Sequence, residues 1–369
     1  MTESAEYRFG VEEEFSIVDA DGNLVNRVYD ILDAAERGSE SAAPDSIKSD
    51  LHECMVEIAT GVCTSVAQAA RELEDLRRIA GEAAASLDLR LLPTSIHPTA
   101  PMSDGKLVET DRYLRLIAGG ALRGDGVHNG MHFHVEIPDP EERVAVVNRL
   151  RYHIPEIVAM SVNSPFYLGE YDGVKSLRFQ YYEPVPSTGP PPVLDKWEDL
   201  GVWLDKLAYS GVRELRDIYS DIRLRDRFPT IEVRCFDVQR TVDAAAILAA
   251  YVRSLVRYYH RRLGTPFVPP VTEDELIENR RAAYTRGLEA EFTANGDSLP
   301  CVELIETTAS DLLADEPIEE EYLIRLRKFA KSGETGADRQ LAFAQGGELD
   351  ADGLIEDLDR AYYEGENRR

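Results

Sequence analysis

The chain has 369 residues, of which 43% are hydrophobic, so it can bury a large core in one or two domains. Its formal net charge of −27 argues against a nucleic-acid partner, because phosphate contacts need basic patches. No apolar run of about 18 residues occurs, and the start "MTESAEYRF" lacks a basic segment followed by an apolar one. We therefore expect no membrane span and no signal peptide, and a cytoplasmic location.

Lysine is scarce, since only seven of the 41 basic residues are Lys and the rest are Arg. An acidic, lysine-poor surface is typical of proteins from salt-rich cytoplasm, where molar salt shortens the Debye length to about 3 Å and screens self-repulsion. The composition thus predicts a halophilic protein, with an ordinary acidic protein as the alternative. The four cysteines form no CxxC pair and no zinc spacing, which fits a reducing compartment.

The stretch "YRFGVEEEFSIV" (7–18) predicts a strand that carries three consecutive glutamates. Because side chains alternate, Glu12 and Glu14 share one face, and Glu13 falls on the apolar face. The apolar face also holds Phe9, Val11, Phe15 and Ile17. Two carboxylates one pleat apart repel each other unless water covers them or a cation lies between them. Both a solvated edge strand and a cation site fit this pattern.

The next segments alternate between strand and helix patterns. "LVNRVYDIL" (24–32) predicts an extended segment or a short helix. "ECMVEIAT" (53–60) predicts a strand with Glu53 and Glu57 on its polar face, although Asp50 would join these two on one helical face. Residues 65–87 predict an amphipathic helix capped by Ser65, and 89–96 a short strand.

The second half of the chain continues this alternation. "MHFHVEI" (131–137) predicts a strand with His132, His134 and Glu136 on one face, and "TIEVRCFDV" (230–238) a strand with Glu232 and Arg234 together. The remaining predictions are helices at 139–163, 242–263 and 274–292, a long functional loop at 164–193, and acidic helices beyond 295 with turns at 332–338 and 346–353.

Each predicted strand has one apolar face and one face with acid or His. Parallel sheets buried on both faces lack this pattern, whereas an antiparallel sheet with helices on its apolar side has it. We therefore predict an α+β fold built on a mainly antiparallel sheet. The sequence contains no P-loop, no GxGxxG after a strand and no GxSxG elbow.

The polar strand faces together predict a metal and phosphate site. It would contain Glu12, Glu14, Glu53, Glu57, His132, Glu232 and Arg234. Several carboxylates with one imidazole suit Mg²⁺ or Mn²⁺, and an adjacent arginine suits phosphate or carboxylate. Alternatively, His134 and Glu136 form a solvated face, and Arg234 pairs with Glu232 or Asp237. Metal-binding carboxylates beside an arginine suggest nucleotide chemistry. Because the sequence has neither a Walker loop nor a Rossmann motif, the sheet would not be of the Rossmann type.

Six segments between about residues 7 and 292 resemble, in order and spacing, the motifs of the type 2 glutamate–cysteine ligases, also called carboxylate–amine ligases. They are "FGVEEEF", "VEIATGVC", "HPTAP", "GMHFHVEI", "SVNSPFYLG" and "TIEVRCFD". The resemblance implies a glutamine synthetase-like curved sheet, mainly antiparallel, whose concave face holds ATP, Mg²⁺ and an amino acid. The acidic composition suggests a haloarchaeal member of the family.

The resemblance also assigns roles to individual residues. The implied metal ligands are Glu12, Glu14, Asp50, Glu53, Glu57, His132 and Glu232. Arg178 of "SLRF" and Arg234 would be catalytic and would bind ATP together with His97 of "HPTAP". Residues 1–292 would form the catalytic domain, and 293–369 an acidic helical extension packed on it. A homo-oligomer is compatible with this sequence.

The implied reaction is ATP-dependent formation of γ-glutamylcysteine from L-glutamate and L-cysteine through γ-glutamyl phosphate. Three positions depart from the family pattern: "YDG" (171–173) replaces D-T-G, Arg281 replaces a tryptophan, and Ser95-Ile96 precede His97 where G-T is usual. We expect these departures to touch the loop and the amine pocket. Two alternatives therefore remain: an enzyme that joins glutamate to another amine, and a non-catalytic metal- or nucleotide-binding relative.

Overall fold

The strands of the computed structural model are short, apart from the first. The model describes residues 7–38, 46–344 and 347–363. Its strands are β1 (Phe9–Val18), β2 (Ile47–Ser49), β3 (Met55–Ala59), β4 (Arg90–Leu92), β5 (Met131–Glu136), β6 (Ile222–Leu224), β7 (Thr230–Val233), β8 (Glu291–Ala294) and β9 (Asp297–Pro300). The first seven form one sheet in the order β2-β3-β1-β5-β7-β6, with β4 paired to β1. Each of these pairings is antiparallel, as predicted.

The register of this sheet places the polar residues of neighbouring strands side by side. Glu14 of β1 faces Glu57 of β3, and Glu12 of β1 faces His132 of β5. His134 of β5 faces Glu232 of β7. Directly opposed residues in an antiparallel pair have Cβ atoms about 4.5–5.5 Å apart. Four strands therefore bring acidic and imidazole groups into one continuous row.

Helices cover the other face of the sheet. The helices are α1 (Val28–Gly38), α2 (Val66–Ala85), α3 (Asp111–Gly119), α4 (Pro140–Leu150), α5 (Ile154–Ser161), α6 (Leu177–Tyr182), α7 (Asp199–Leu207), α8 (Val242–His260), α9 (Glu273–Arg286), α10 (Cys301–Ala314), α11 (Glu320–Ser332), α12 (Gly336–Leu341) and α13 (Ala351–Tyr362). The apolar face of β1 joins one core with the apolar stripe of α2 and with α8. The predicted α+β class, with helices packed on the apolar face of the sheet, is confirmed.

Local sequence explains where several helices begin and end. Ser65 caps α2 by accepting a hydrogen bond from Gln68 N, as predicted. The predicted helix at 139–163 is instead two helices, α4 and α5, separated by a 3₁₀ turn at Arg151–His153. Pro155 lies in the first turn of α5, where its missing N–H cannot continue the preceding helix. Of the segment predicted as extended or helical at 24–32, residues 28–32 form the start of α1.

Some predicted boundaries are wrong. The long loop at 164–193 contains α6, which is the helix that carries Arg178. The helix predicted at 274–292 ends at Arg286, and the hairpin β8–β9 follows it. Asn295 and Gly296 both have positive φ at the tip of this hairpin, which is the signature of a type I′ turn. The turn predicted at 332–338 overlaps α12, which Thr335 and Asp338 open with a capping box.

The C-terminal helices share the main core. Cys301, Ile305, Leu323, Leu326 and Tyr362 belong to the same apolar cluster as the sheet. The division of the chain at residue 292 stays a prediction. Of the described helices, none combines the length and hydropathy that crossing a bilayer requires.

Candidate active site

Three carboxylates from β1, β3 and the end of β2 form what we call the Glu14 group: Glu14, Asp50 and Glu57. They offer ligand oxygens that lie within 4.8 Å of one another. Burial, with the neighbouring charge of Asp50 added, raises the pKa of Glu14 to about 8. Burial and the charge of Glu12 raise the pKa of Glu57 well above its usual range. The Nζ of the half-exposed Lys48 lies 2.9 Å from Glu57 Oε1 and offsets part of this charge.

A second cluster, the Glu12 group, consists of Glu12, His134 and Glu232. His134 Nε2 lies 3.5 Å from Glu12 Oε2 and 3.9 Å from Glu232 Oε1. His132 Nδ1 lies 3.3 Å from the same Glu12 oxygen. Burial and the charge of Arg234 lower the pKa of His132 to about 3, so this imidazole is neutral. Burial opposes ionisation of Glu12, but hydrogen bonds with His132 and His134 outweigh it and hold the Glu12 pKa well below its usual value.

Three arginines surround Glu232. Arg223 donates to both carboxylate oxygens, from Nε and Nη2, at 2.8 Å each. Arg225 Nη1 donates at 3.1 Å, and Arg234 Nη1 also donates. Burial disfavours the charged form, but the arginine charges outweigh it and keep the pKa of Glu232 well below its ordinary range. The Glu12 group is therefore anionic next to a cluster of cations.

The donor sets of both groups fit hard divalent cations. Carboxylate oxygens suit Mg²⁺ and Mn²⁺, and Mg²⁺ is usually held by one or two carboxylates together with substrate phosphates. A buried carboxylate that lies near other carboxylates has a raised pKa, as Glu14 has beside Asp50 and Glu57 has beside Glu12, and a bound cation relieves this repulsion. His134 Nε2 is buried and faces the carboxylate oxygens of Glu12 and Glu232, so a cation between them would meet three ligand atoms. The residues present thus fit metal binding.

A polar cavity opens beside the Glu14 group. Its lining includes Glu14, Asp50, Tyr113, His128, His132, Arg178, Tyr182, Tyr219, Asp221, Arg234 and Arg280. Tyr113 donates its hydroxyl to Asp50 Oδ1 at 2.9 Å, and Arg280 binds Asp221 through Nε and Nη2 at 2.6 and 2.9 Å. Because a Cβ at Gly130 would lie 2.6 Å from Arg178 Nη2, only glycine leaves this guanidinium in its place. The cavity therefore combines carboxylates, arginines and hydroxyls.

An apolar cavity opens beside the Glu12 group. It is lined by the first residues of β1, by 59–62 and by 228–230, together with Glu12 and His134. Val62 and Phe228 are 67% and 60% exposed on its rim. Exposed apolar side chains that border a cleft are typical of ligand-binding surfaces. The two acidic groups therefore each border a different cavity.

Most predicted site residues lie together, but two do not. The eight that do are Glu12, Glu14, Asp50, Glu57, His132, Arg178, Glu232 and Arg234. Glu53 instead accepts from Lys106 Nζ at 2.7 Å. Strand β3 begins only at Met55, so the alternation that placed Glu53 beside Glu57 does not reach it.

His97 needs the second correction. Its Nε2 bonds the carbonyl of Gly22 at 2.9 Å, and its Nδ1 accepts from the N–H groups of Thr99 and Ala100. Burial lowers the pKa of His97 to about 4, so the ring is neutral. With both ring nitrogens engaged by backbone, His97 holds a loop together and has none left for ATP.

Sequence reasoning missed several members of the site. His134 was interpreted as part of a solvated face, although it shares the face of His132 and was visible from the alternation of the strand. Arg223 and Arg225 come from β6 and its turn, and their only signal is the arginine-rich stretch "RLRDR" (223–227). Lys48 and Tyr113 reach the Glu14 group from segments that carry no motif.

The three departures from the family pattern lie outside the polar cavity. Arg281 Nη2 binds Glu183 Oε1 at 2.5 Å at the surface. Ser95 Oγ accepts from Val238 N at 2.8 Å and is buried. Neither these residues nor 171–173 line the polar cavity. Arg281 does contact the 164–193 loop, through Glu183, as expected. Contact of these positions with the amine pocket stays a prediction.

The fold belongs to the structural class of glutamate–cysteine ligase. The solved glutamate–cysteine ligase of Francisella tularensis, in complex with AMP, superposes with a TM-score of 0.73 at 15% identity over 97% of this chain and 88% of that one. The glutamine synthetase-like fold predicted from the motifs is thereby confirmed.

The chain belongs to glutamate–cysteine ligase family 2, whose family model matches residues 8–357. A candidate glutamate–cysteine ligase 2 of Cupriavidus metallidurans is 33% identical over 289 residues, covering 77% of this chain and 76% of that protein. Another from Leptothrix cholodnii is 30% identical over 333 residues, covering 86% and 87%. The predicted class of enzyme, a carbon–nitrogen ligase of the glutamate–cysteine ligase type, is confirmed, and these two relatives are bacterial.

Proposed function

We propose that this protein joins the γ-carboxylate of L-glutamate to the amino group of L-cysteine at the expense of ATP, giving γ-glutamylcysteine, ADP and phosphate. The observation that carries the proposal is the arrangement of two metal-fitting groups between two cavities of different chemistry. His132 links the groups, since it contacts Glu12 and also lines the polar cavity. A phosphoryl group can thus pass from a ligand in one cavity to a ligand in the other over a short distance.

The apolar cavity suits ATP. It encloses about 340 Å³ against about 60 Å³ for the polar cavity, which favours the larger ligand there. Phe228 and Val62 offer apolar surface to the adenine base, and Arg225 offers charge to the phosphates. The phosphates would then lie toward Glu12 and His134, which would hold Mg²⁺, or Mn²⁺ in its place, to neutralise their charge.

The polar cavity suits an amino acid. Its arginines match carboxylates, and its carboxylates lie where a cation would draw in the γ-carboxylate of glutamate. Metal ions held by Glu12, Glu14, Asp50, Glu57, His134 and Glu232, with His132 adjacent, would supply charge neutralisation of the phosphates. Arg234 stabilises the transferring phosphoryl group, and Arg178 holds a substrate carboxylate or phosphate.

The chemistry needs an activated carboxylate, because a free carboxylate is a poor electrophile. The γ-carboxylate attacks the γ-phosphorus of ATP, ADP leaves, and γ-glutamyl phosphate forms. The ammonium of the second substrate releases a proton to solvent, and the neutral amine then attacks the acyl carbon. A second proton leaves the nitrogen as the amide forms, and phosphate leaves with the acyl-bound oxygen. Little covalent help from the protein is needed, so the named residues act by positioning and charge neutralisation.

The acidic, lysine-poor composition supports a halophilic, cytoplasmic enzyme, of the kind found in haloarchaea. We also infer that the C-terminal helices are part of the catalytic unit, because they share its core.

The test is ADP release in molar KCl with ATP, Mg²⁺ and glutamate, with and without cysteine, and mass spectrometry of the product. Cysteine-dependent ADP together with γ-glutamylcysteine is the expected result. ADP release that depends on a different amine would support the proposed site and show that the second substrate is not cysteine. No ADP with any amine would overturn the proposal in favour of a binding protein.

A further inference from the structure

One wall of the polar cavity carries polar groups that find no partner. His128 is 8% exposed, and neither of its ring nitrogens has a hydrogen-bond partner among the described residues. The Tyr182 hydroxyl and Arg178 Nε, both buried in the same wall, also make no hydrogen bond within the described chain. Leaving a buried polar group without a partner is unfavourable, so such groups normally meet a ligand or water. Three of them around one cavity point to a polar ligand.

These groups are held rigidly by stacked rings. The His128 ring packs on the Tyr182 ring with centroids 4.2 Å apart, and Tyr182 stacks on Tyr219 at 6.4 Å with planes 10° apart. The guanidinium of Arg234 lies 5.7 Å from the Tyr219 ring. Aromatic contacts of this kind fix ring positions at little entropic cost. His128 and Tyr182 are thus fixed in one rigid stack that ends at the phosphoryl-transfer arginine.

The chemistry of the open groups specifies the ligand. Burial and the charge of Arg178 hold the pKa of His128 well below its usual value, so the imidazole is neutral. A neutral imidazole offers one N–H donor and one acceptor nitrogen, and a phenol offers one of each. Their ligand must therefore both accept and donate hydrogen bonds. An α-amino acid does this, because its carboxylate accepts and its ammonium donates.

We propose that His128 and Tyr182 determine substrate specificity by hydrogen-bonding directly to the α-amino acid that enters the polar cavity. The proposal rests on the function proposed above and adds the residues that recognise its amino-acid substrate. Two substrates share this chemistry, glutamate and the amino acid that supplies the amine. The KM for each amino acid, measured separately, shows which of the two substrates His128 contacts.

The test compares three single variants with the wild type. His128→Phe keeps a ring in the stack and removes both nitrogens, and Tyr182→Phe removes only the hydroxyl. Tyr181→Phe is the matched control, because the Tyr181 hydroxyl donates to exposed Asp125 and does not line the polar cavity. We expect the KM for one amino acid to rise about tenfold or more in the first two variants, because each loses a hydrogen bond to the substrate. A tenfold rise corresponds to about 1.4 kcal/mol of binding free energy. The KM for ATP and all constants of Tyr181→Phe should stay near wild type.

His128→Gln adds a rescue, since its amide restores one donor and one acceptor. It should recover part of the lost affinity. Unchanged KM values for both amino acids in both His128→Phe and Tyr182→Phe would overturn the proposal, as would an equal rise in the KM for ATP. Thermal unfolding in molar KCl identifies any variant that fails to fold. If His128→Phe does not fold, the KM values of Tyr182→Phe decide whether the proposal stands.

A binding assay separates this proposal from the proposed function. Stabilisation of the wild type by glutamate, cysteine and other α-amino acids is measured by thermal unfolding, without ATP. If some amino acid stabilises the wild type but not His128→Phe, the recognition role stands even if no γ-glutamylcysteine forms. If the wild type makes γ-glutamylcysteine and both variants match it, the ligase function stands and the recognition role is wrong.

Discussion

Glu13 and Arg77 form a fully buried ion pair that joins β1 to α2. Arg77 Nε and Nη2 donate to the two Glu13 oxygens at 2.9 and 2.7 Å, and neither side chain is more than 2% exposed. The guanidinium also donates to the carbonyls of Gln239 and Arg240 and lies 5.0 Å from the Phe15 ring centroid. Of three consecutive glutamates, the middle one therefore holds the fold, and its two neighbours face the candidate site.

We predict that Glu13→Gln lowers the free energy of unfolding by about 3–5 kcal/mol, because it leaves the buried Arg77 charge uncompensated. Glu12→Gln should change stability less, since Glu12 is partly exposed and its neighbours are imidazoles and not a buried guanidinium. Denaturant unfolding of both variants in molar KCl measures the difference. Equal stability of Glu13→Gln and the wild type would show that the pair does not hold the sheet to α2.

Glu12→Gln should fold and lose activity by about 100-fold or more, since it removes a charged oxygen ligand near the phosphates. Glu232→Gln should lose activity to a similar extent and should also lose stability, because it leaves the buried Arg223 without its carboxylate partner. The matched control is Glu53→Gln, because Glu53 pairs with Lys106 outside the site. The measurement is ADP release as Mg²⁺ is raised. Wild-type turnover at saturating Mg²⁺ in either site variant would remove that residue from the metal ligands, and a large loss in Glu53→Gln would restore Glu53 to them.

The raised pKa of Glu14, about 8, predicts a pH dependence of stability. Its unfolded value is near 4.3, so from about pH 4.5 to about pH 8 the folded protein holds a proton that the unfolded chain has lost. Without divalent metal, this group should lower stability as pH rises through that window, by up to about 1.4 kcal/mol per pH unit. Mg²⁺ binds the deprotonated carboxylate in place of the proton. Stabilisation of the folded protein by Mg²⁺ should therefore increase as pH rises through the same window.

Unfolding at about pH 5 and about pH 8, with and without Mg²⁺, checks this dependence against Glu14→Gln. The variant should lose the part of the pH slope that Glu14 contributes. Equal stabilisation of the wild type by Mg²⁺ at both pH values would contradict the proposed role of Glu14.

Salt should be required for both folding and activity. At low ionic strength the net charge of −27 repels itself across the surface, and molar KCl screens this repulsion. We expect the unfolding midpoint to rise and turnover to appear as KCl increases toward molar concentration. Full stability and activity in dilute buffer would show that the acidic, lysine-poor composition does not reflect adaptation to high salt.

Strand alternation was enough to predict the sheet and most of the site. The faces of β1, β5 and β7 follow directly from the two-residue period of a strand, so Glu12, Glu14, His132 and Glu232 could be grouped before any contact was known. Glu53 was misplaced because alternation fails where a strand has not yet begun. His134 was left out of the site although it shares the face of His132, because the sequence does not say how far along β5 the site extends before its polar face becomes solvated.

Other parts of the site depend on pairings that the period of a single strand does not encode. Arg223 lies opposite Glu232 across the β6–β7 pair, and Tyr113 reaches Asp50 from α3, 63 residues further along the chain. His97 lies in a motif that resembles the family, yet its ring nitrogens bind the backbone of its own surroundings. A motif marks a segment, whereas the role of each side chain in it depends on its partners in the fold.

The proposed reaction requires that the γ-carboxylate of glutamate is phosphorylated before the amine attacks. The most direct measurement uses glutamate labelled with oxygen-18 at both oxygens of its γ-carboxylate, with ATP, Mg²⁺ and cysteine in molar KCl, and mass spectrometry of the released phosphate. One labelled oxygen should appear in each phosphate formed, because the acyl-bound oxygen leaves with it. Phosphate without label, alongside γ-glutamylcysteine, would contradict an acyl phosphate and the role assigned to the cavities on either side of His132.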